Sequence, residues 1–370
     1  MFMVTTLHIL GQGGILAHAG VLTLNYEIAW FLEIAAACAV NCYALVSGYV
    51  SVNSKFQYSR IVSLWLQVTF YTVIITGIFA IVVPGSVGVK ESIKAFFPVP
   101  FGHYWYFTAY FGMFFFIPFL NHLLNSLRQR DLQILLFSII VVFSILPTLR
   151  QADVFNTAAG CSTLWLAALY LIGGYIKKYS VGERVRARWF IILYFVCIAL
   201  TWLSKSTVEL MTARYFGVAK HGSLLVPYTS PTILFAGIAL LLFFSNLTLK
   251  NRILNKFIGL LAPLSFSVYL IQTEPLVWRY IMKDRFVDYS QYSAIKMTLF
   301  ISLTAFGIYI FCSLLDLVRA KAFTLLKINR FSERMAQILK SPMSNILNRL
   351  SIEKDPDGTR LHAKTGQPGA

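Results

Sequence analysis

Four groups of polar residues stand in an otherwise apolar chain, and each has the side chains for chemistry. The first is His8, near the end of the apolar run 1–10, with Gln12 and His18 just beyond. A neutral imidazole can take a proton from a hydroxyl near physiological pH. An ionisable side chain at membrane depth is costly, and such residues usually face a protein interior or a watery cavity. The other reading of His8 is a boundary histidine that merely bonds a neighbouring helix. The second group is Glu33 and Asn41, eight residues apart and so nearly on one helical face. Glu33 is neutral, structurally paired or catalytic. The third is Lys55 with Arg60: positive anchors of a loop, or contacts for phosphate oxygens, which Arg forks match. The fourth is the stretch 103–107, His-Tyr-Trp-Tyr-Phe, which runs on to Pro118 and Asn121. Trp105 and Tyr106 there suit an interfacial aromatic belt or the rim of a carbohydrate cavity, with Asn41 as a further polar contact. Late in the chain, Ser265, Ser267, Tyr269, Gln272 and Glu274 lie between Pro263 and Pro275. That pattern predicts a kinked helix whose freed carbonyls need partners.

The elements that must position these residues are membrane helices. Of 370 residues, 57% are hydrophobic and only 13% charged, against about 25% charged in soluble domains. The fold class is therefore all-α, a polytopic integral membrane bundle. Spans of about 20 apolar residues fall at 28–50, 61–83, 104–124, 132–149, 160–176, 189–204, 229–247, 258–278 and 297–317. Before them, residues 1–10 are too short for a full span, and the expectation is that the chain starts inside its first transmembrane helix. The total is about ten helices, the first incomplete.

Loop charges alternate. One set of loops carries Lys55 and Arg60, then Arg128 and Arg130, then Lys177 through Arg188, then Lys250, Arg252 and Lys256; the intervening loops are mixed. By the positive-inside rule both termini are cytoplasmic, in a cell membrane. The net charge of +17 then suits anionic lipid; no stacking platform or groove-reading helix argues for nucleic acid. The expected organisation is a transmembrane domain over 1–318, a basic amphipathic helix on the inner leaflet over 319–350, and a disordered polar tail over 351–370. Five cysteines lie in or beside apolar segments without a CxxC pair, so buried thiols are expected. No HExxH, GxSxG or Walker-type motif occurs, and no His/Cys cluster has metal-ligand spacing. A covalent Ser or Cys mechanism and a metal site lack sequence support.

Taken in order, a His in the first helix, residues 40–49 (VNCYALVSGY) closing the second, Trp105-Tyr106-Phe107 with Pro118-Phe119-Leu120-Asn121, and Ser267-Val268-Tyr269-Leu270-Ile271 resemble the membrane acyltransferase 3 family. Its members include bacterial polysaccharide O-acetyltransferases, and the resemblance covers about residues 1–318. It implies transfer of an acyl group, usually acetyl, from cytoplasmic acyl-coenzyme A to a sugar hydroxyl. Acetyl-coenzyme A is then a co-substrate rather than a bound cofactor, and the acceptor a glycan or lipid-linked sugar. On that footing His8 is the base, Glu33 its orienting partner, Lys55 and Arg60 the holders of coenzyme A phosphates, and Trp105, Tyr106 and Asn41 the acceptor contacts.

The chain departs from the family pattern in three places. The Arg that typically precedes the first-helix His would fall upstream of Met1. Gln57 stands where the first of two paired Arg residues is common, Arg60 being the second. Gln272 replaces a His in the late Leu-Ile-His motif. The competing function is a transporter or flippase for a glycan or small anion, which a ten-helix bundle with a kinked span and buried polar residues also suits. A transporter often shows two halves of related hydropathy, and no such repeat is visible.

Overall fold

In the computed structural model, residues 1–338 are described, apart from 221 and 329. All regular secondary structure among them is helical. The helices that matter here are α1 (Phe2–Leu10), α2 (Leu24–Ser51, bent at Cys38), α3 (Tyr58–Val82), α4 (Val89–Phe96), α5 (Trp105–Ser126) and α6 (Gln129–Arg150). There follow α7 (Thr163–Lys178), α8 (Ala187–Phe216), α9 (Pro231–Ser245), α10 (Arg252–Gln272) and α11 (Ala294–Leu325). Seven of them are long and apolar enough to cross a membrane: α2, α3, α5, α6, α8, α10 and α11. The shorter α1, α7 and α9 are held inside the bundle by these.

The bundle is organised around α7. It is apolar on nearly every side and correspondingly buried, with Trp165, Leu166, Leu169 and Tyr170 fully enclosed. Its main partner is the second half of α2, with α5 on another side. The α2–α7 approach is made by glycines facing each other's backbone. A Cβ on Gly48 would collide with the Tyr170 carbonyl, and one on Gly173 with the Leu45 carbonyl. Small residues allow helices in lipid to pack backbone to backbone, and a carbonyl cannot swing aside as a side-chain tip can. Gly173→Ala should therefore force α2 and α7 apart and destabilise the protein by about 1–3 kcal/mol, the usual cost of overpacking. Thermal unfolding of the detergent-solubilised chain would read this; an unchanged midpoint would mean the two helices slide freely.

Several boundaries differ from the sequence expectation, each for a physical reason. Helix α8 runs to Phe216 and not to 204, because Lys205 and Glu209, expected in a loop, pair one turn apart inside it (Nζ–Oε2 2.5 Å). The last span continues unbroken to Leu325, through residue 319, with Asp316 and Arg319 paired at 2.5 Å. The expected amphipathic segment 319–350 lies within the described residues only as far as 338, and the tail 351–370 lies outside them. The prolines do break the late span. Residues Arg252–Leu261 bury none of their side chains, and a 3₁₀ turn at Pro263 precedes Ser265–Gln272. A second break at Thr273 and Glu274 precedes Pro275–Val277 and a π-helical turn over Trp278–Met282. The freed carbonyls find partners, Tyr104 Oη donating to Leu270 O at 3.0 Å and Tyr309 Oη to Leu261 O at 3.5 Å. All five cysteines are free thiols, with Cys38, Cys197 and Cys312 buried.

Candidate active site

Helix α1 packs against α2 and α11, and the loop after it fixes its orientation. Gln12 O accepts from Asp284 N and Gly13 O from Phe286 N, both at 2.9 Å. The Gln12 side chain donates to Trp278 O at 3.0 Å. Gly13 permits this because a Cβ there would overlap both Ile9 O and the Phe286 ring. The effect is to clamp the π-helical turn after Pro275 onto the end of α1. The Trp278 ring then stands edge-on to the His8 imidazole, with 4.9 Å between centroids and an 87° interplanar angle.

His8 lines a cavity of about 90 Å³ whose walls include Met1, Tyr43, Trp105, Tyr106, Tyr228, Phe266 and Tyr269. The imidazole Nδ1 is buried without a hydrogen-bond partner, and so are the hydroxyls of Tyr106 and Tyr269. Buried polar atoms are ordinarily satisfied, so three orphans around one cavity call for explanation. Gln272 is the nearest polar side chain to the imidazole; its amide also donates to Thr5 Oγ1 at 3.3 Å, while its Oε1 is unpartnered. This collection has a basic nitrogen, hydroxyl donors and largely aromatic walls. It can take a proton from one reactant and donate hydrogen bonds to a developing oxyanion. The imidazole meets the Gln272 side chain of α10, and its Nδ1 is left without a partner.

The remaining expected site residues divide. Trp105 and Tyr106, at the start of α5, are brought to His8; Trp105 is partly exposed and stacks on Tyr228, with centroids 6.5 Å apart and planes 12° from parallel. Asn41 is fully buried and used at both ends of its amide. Its Nδ2 donates to Tyr228 O at 2.8 Å, and its Oδ1 accepts from Trp165 Nε1 at 3.0 Å. It does not line the cavity; it holds the Tyr228 backbone in place. Glu33 makes neither a hydrogen bond nor an ion pair with His8. One of its oxygens is buried without a partner, and the group it acts on electrostatically is Tyr228. Lys55 is exposed on the turn between α2 and α3 and Arg60 in the first turn of α3, neither side chain having a partner among the described residues. Leu7 packs beside Ala36 and Val40, so the imidazole lies some 15 residues, about 22 Å of helix, above the end of α2. His18 is exposed and caps Gly14 O at 2.8 Å, away from the cavity.

A family model described as an acyltransferase domain matches residues 1–317. The chain belongs to the acyltransferase 3 family. Its coarse activity follows: it is a membrane acyltransferase. Comparisons with curated proteins and with solved structures each give no match. Within this family member, Tyr228 on the cavity wall and Trp278 against the His8 ring escaped the sequence reading. Tyr228 arrives on an irregular loop and Trp278 from beyond a helix break, and neither stands in a periodic pattern. The local signal for Trp278 was Pro275, which ends one helix and turns the chain back over α1.

Proposed function

We propose that this acyltransferase moves an acetyl or other short acyl group from cytoplasmic acyl-coenzyme A to a sugar hydroxyl of a cell-surface or exported glycan. The observation that carries it is the unpartnered His8 nitrogen on an aromatic cavity shared with Trp105, Tyr106 and Tyr269. His8 accepts the hydroxyl proton as the sugar oxygen attacks the thioester carbonyl. The C–O bond forms and the carbonyl oxygen becomes an oxyanion, to which the Tyr106 and Tyr269 hydroxyls donate. The C–S bond then breaks, and the imidazolium returns its proton to the departing thiolate. Trp105 stacked on Tyr228 offers an apolar platform for a sugar ring. Asn41 acts on the site through the Tyr228 backbone, as a positioning residue. The test is transfer of labelled acetyl from acetyl-coenzyme A to glycan by membranes containing the chain; uptake of glycan without label transfer would reject it.

Lys55 and Arg60 hold the coenzyme A phosphates in this scheme, at the end of α2 from which an extended donor arm must reach about 22 Å inward. Arg60→Ala is expected to weaken acyl-coenzyme A binding roughly ten-fold, the loss of about 1.4 kcal/mol from a charge-assisted contact. Equilibrium binding at low and high salt checks it. Unchanged affinity would leave Arg60 as a positive-inside anchor only.

A further inference from the structure

A second cavity, of about 200 Å³, lies on the face of the bundle opposite the Lys55–Arg60 turn, beyond the far end of α3. Its walls come from α3, α4, the loop before α5 and the turn at Pro275. Thr76, Glu91, Lys94, His103, Glu274 and Arg279 face it. No step of acyl transfer derived above uses any of them.

The charges in this cavity are not balanced by contact. Both carboxylates are committed. Glu274 is fully buried; its Oε2 accepts from the backbone N–H groups of Leu276 (2.7 Å) and Val277 (3.1 Å), and its Oε1 lies 3.2 Å from His103 Nε2. Glu91 Oε2 accepts from Gly88 N at 3.0 Å. Its own backbone N–H and that of Gly88 hold its carboxyl below the usual range, so it stays ionised as a helix cap. The cations are not held by contact, although Lys94 acts electrostatically on Glu91. Among the described residues neither Lys94 nor Arg279 makes a hydrogen bond or an ion pair, Lys94 being half-buried and Arg279 exposed at the mouth. The His103 side chain is only 7% exposed, and once protonated it donates from both ring nitrogens. Two unspent cations and a carboxylate-braced imidazole around one recess make a binding site for a negative group, with Arg able to grip it bidentately.

We propose that this cavity binds a phosphate or carboxylate group on a molecule presented at that face. It deepens the acyltransferase reading by making the acceptor an acidic or phosphate-bearing sugar, and it rests on that reading only for calling the bound molecule an acceptor. Two sources supply the same chemistry: the acceptor itself and the headgroup of an anionic phospholipid.

The test uses the full chain in phosphatidylcholine nanodiscs, with labelled glucose 1-phosphate, D-glucuronate and D-glucose as probes. The two charged sugars should bind at least roughly ten-fold more tightly than glucose, and the double variant Lys94→Gln/Arg279→Gln should erase the difference. Lys94→Arg should keep it. Neither cation holds another part of the protein, so the double variant should unfold at the wild-type temperature. Equal binding of all three sugars, no binding of the charged ones, or a preference that survives the double variant would overturn the proposal. Nanodiscs of phosphatidylglycerol separate the sources: competition there assigns the site to lipid headgroups, and undiminished binding assigns it to the sugar. His8→Ala should leave this binding intact. A failure of His8 to matter for transfer is thereby distinguishable from a failure of the anion site.

Discussion

His8→Ala should lower acyl transfer by roughly 10²–10⁴-fold, the range of a lost general base, while the protein still folds and reaches the membrane. The two halves of that expectation have separate grounds. The imidazole Nδ1 makes no hydrogen bond, and the ring meets the Gln272 side chain and the edge of Trp278. Its removal therefore unpins no helix, because the α1 loop is tied down by the backbone of Gln12 and Gly13. The chemistry has no such redundancy. Gln272, the side chain that meets the imidazole, is an amide that cannot take up a proton at neutral pH, and the other side chains of the walls are aromatic, apart from those of Met1 and Val4. The measurement is turnover of labelled acetyl-coenzyme A in membranes normalised to the amount of chain, alongside the thermal midpoint of the purified variant. Wild-type turnover would remove His8 from the reaction. A midpoint that falls together with the rate would assign His8 a structural part.

What could be read from the sequence was whatever depends on a local pattern. The apolar run expected at 61–83 became Tyr58–Val82, and that at 132–149 became Gln129–Arg150. Run length responds to bilayer thickness and to little else. The placing of His8, Trp105 and Tyr106 on one cavity was legible because each is a residue type that a plain lipid-facing helix has no need of. Asn41 shows where this stops. It was legible as a polar residue in an apolar span, but whether it faces a ligand or pins two helices depends on Trp165, 124 residues away. Glu33 was expected to brace His8. The two lie on different helices, and the carboxyl is buried with one oxygen unpartnered instead of bonded to the imidazole. The stretch from His103 to Phe107 divides in a way no spacing announces. Trp105 and Tyr106 turn to one cavity, while His103, outside the helix that begins at Trp105, turns to the other.

The charges in α8 give the second large effect. Lys205 is 2% exposed and sits 4.3 Å and 4.4 Å from the ring centroids of Tyr26 and Trp30. Its Nζ also donates to Glu209 Oε2 at 2.5 Å and to Tyr26 Oη at 3.3 Å. Lys205→Met removes the cation but leaves the carboxylate in place with one long hydrogen bond, from Tyr26 at 3.3 Å. Breaking a buried pair from one side costs about 3–5 kcal/mol, whereas replacing both members with apolar residues of similar volume is often neutral or stabilising. The single variant should therefore unfold at a much lower temperature in detergent, and Lys205→Met/Glu209→Leu should recover most of the loss. If the second change instead adds its own cost, the pair is not the source of the stability, and the contacts of Lys205 with Tyr26 and Trp30 are. The consequence reaches the reaction centre. Gly222 lies against the Glu209 carboxyl with no room for a Cβ, and it begins the stretch that delivers Tyr228 to the His8 cavity. A carboxylate released from Lys205 seeks water through that loop, so the single variant should lose transfer activity even at temperatures where it is folded. The double variant, with nothing left to solvate, should regain it.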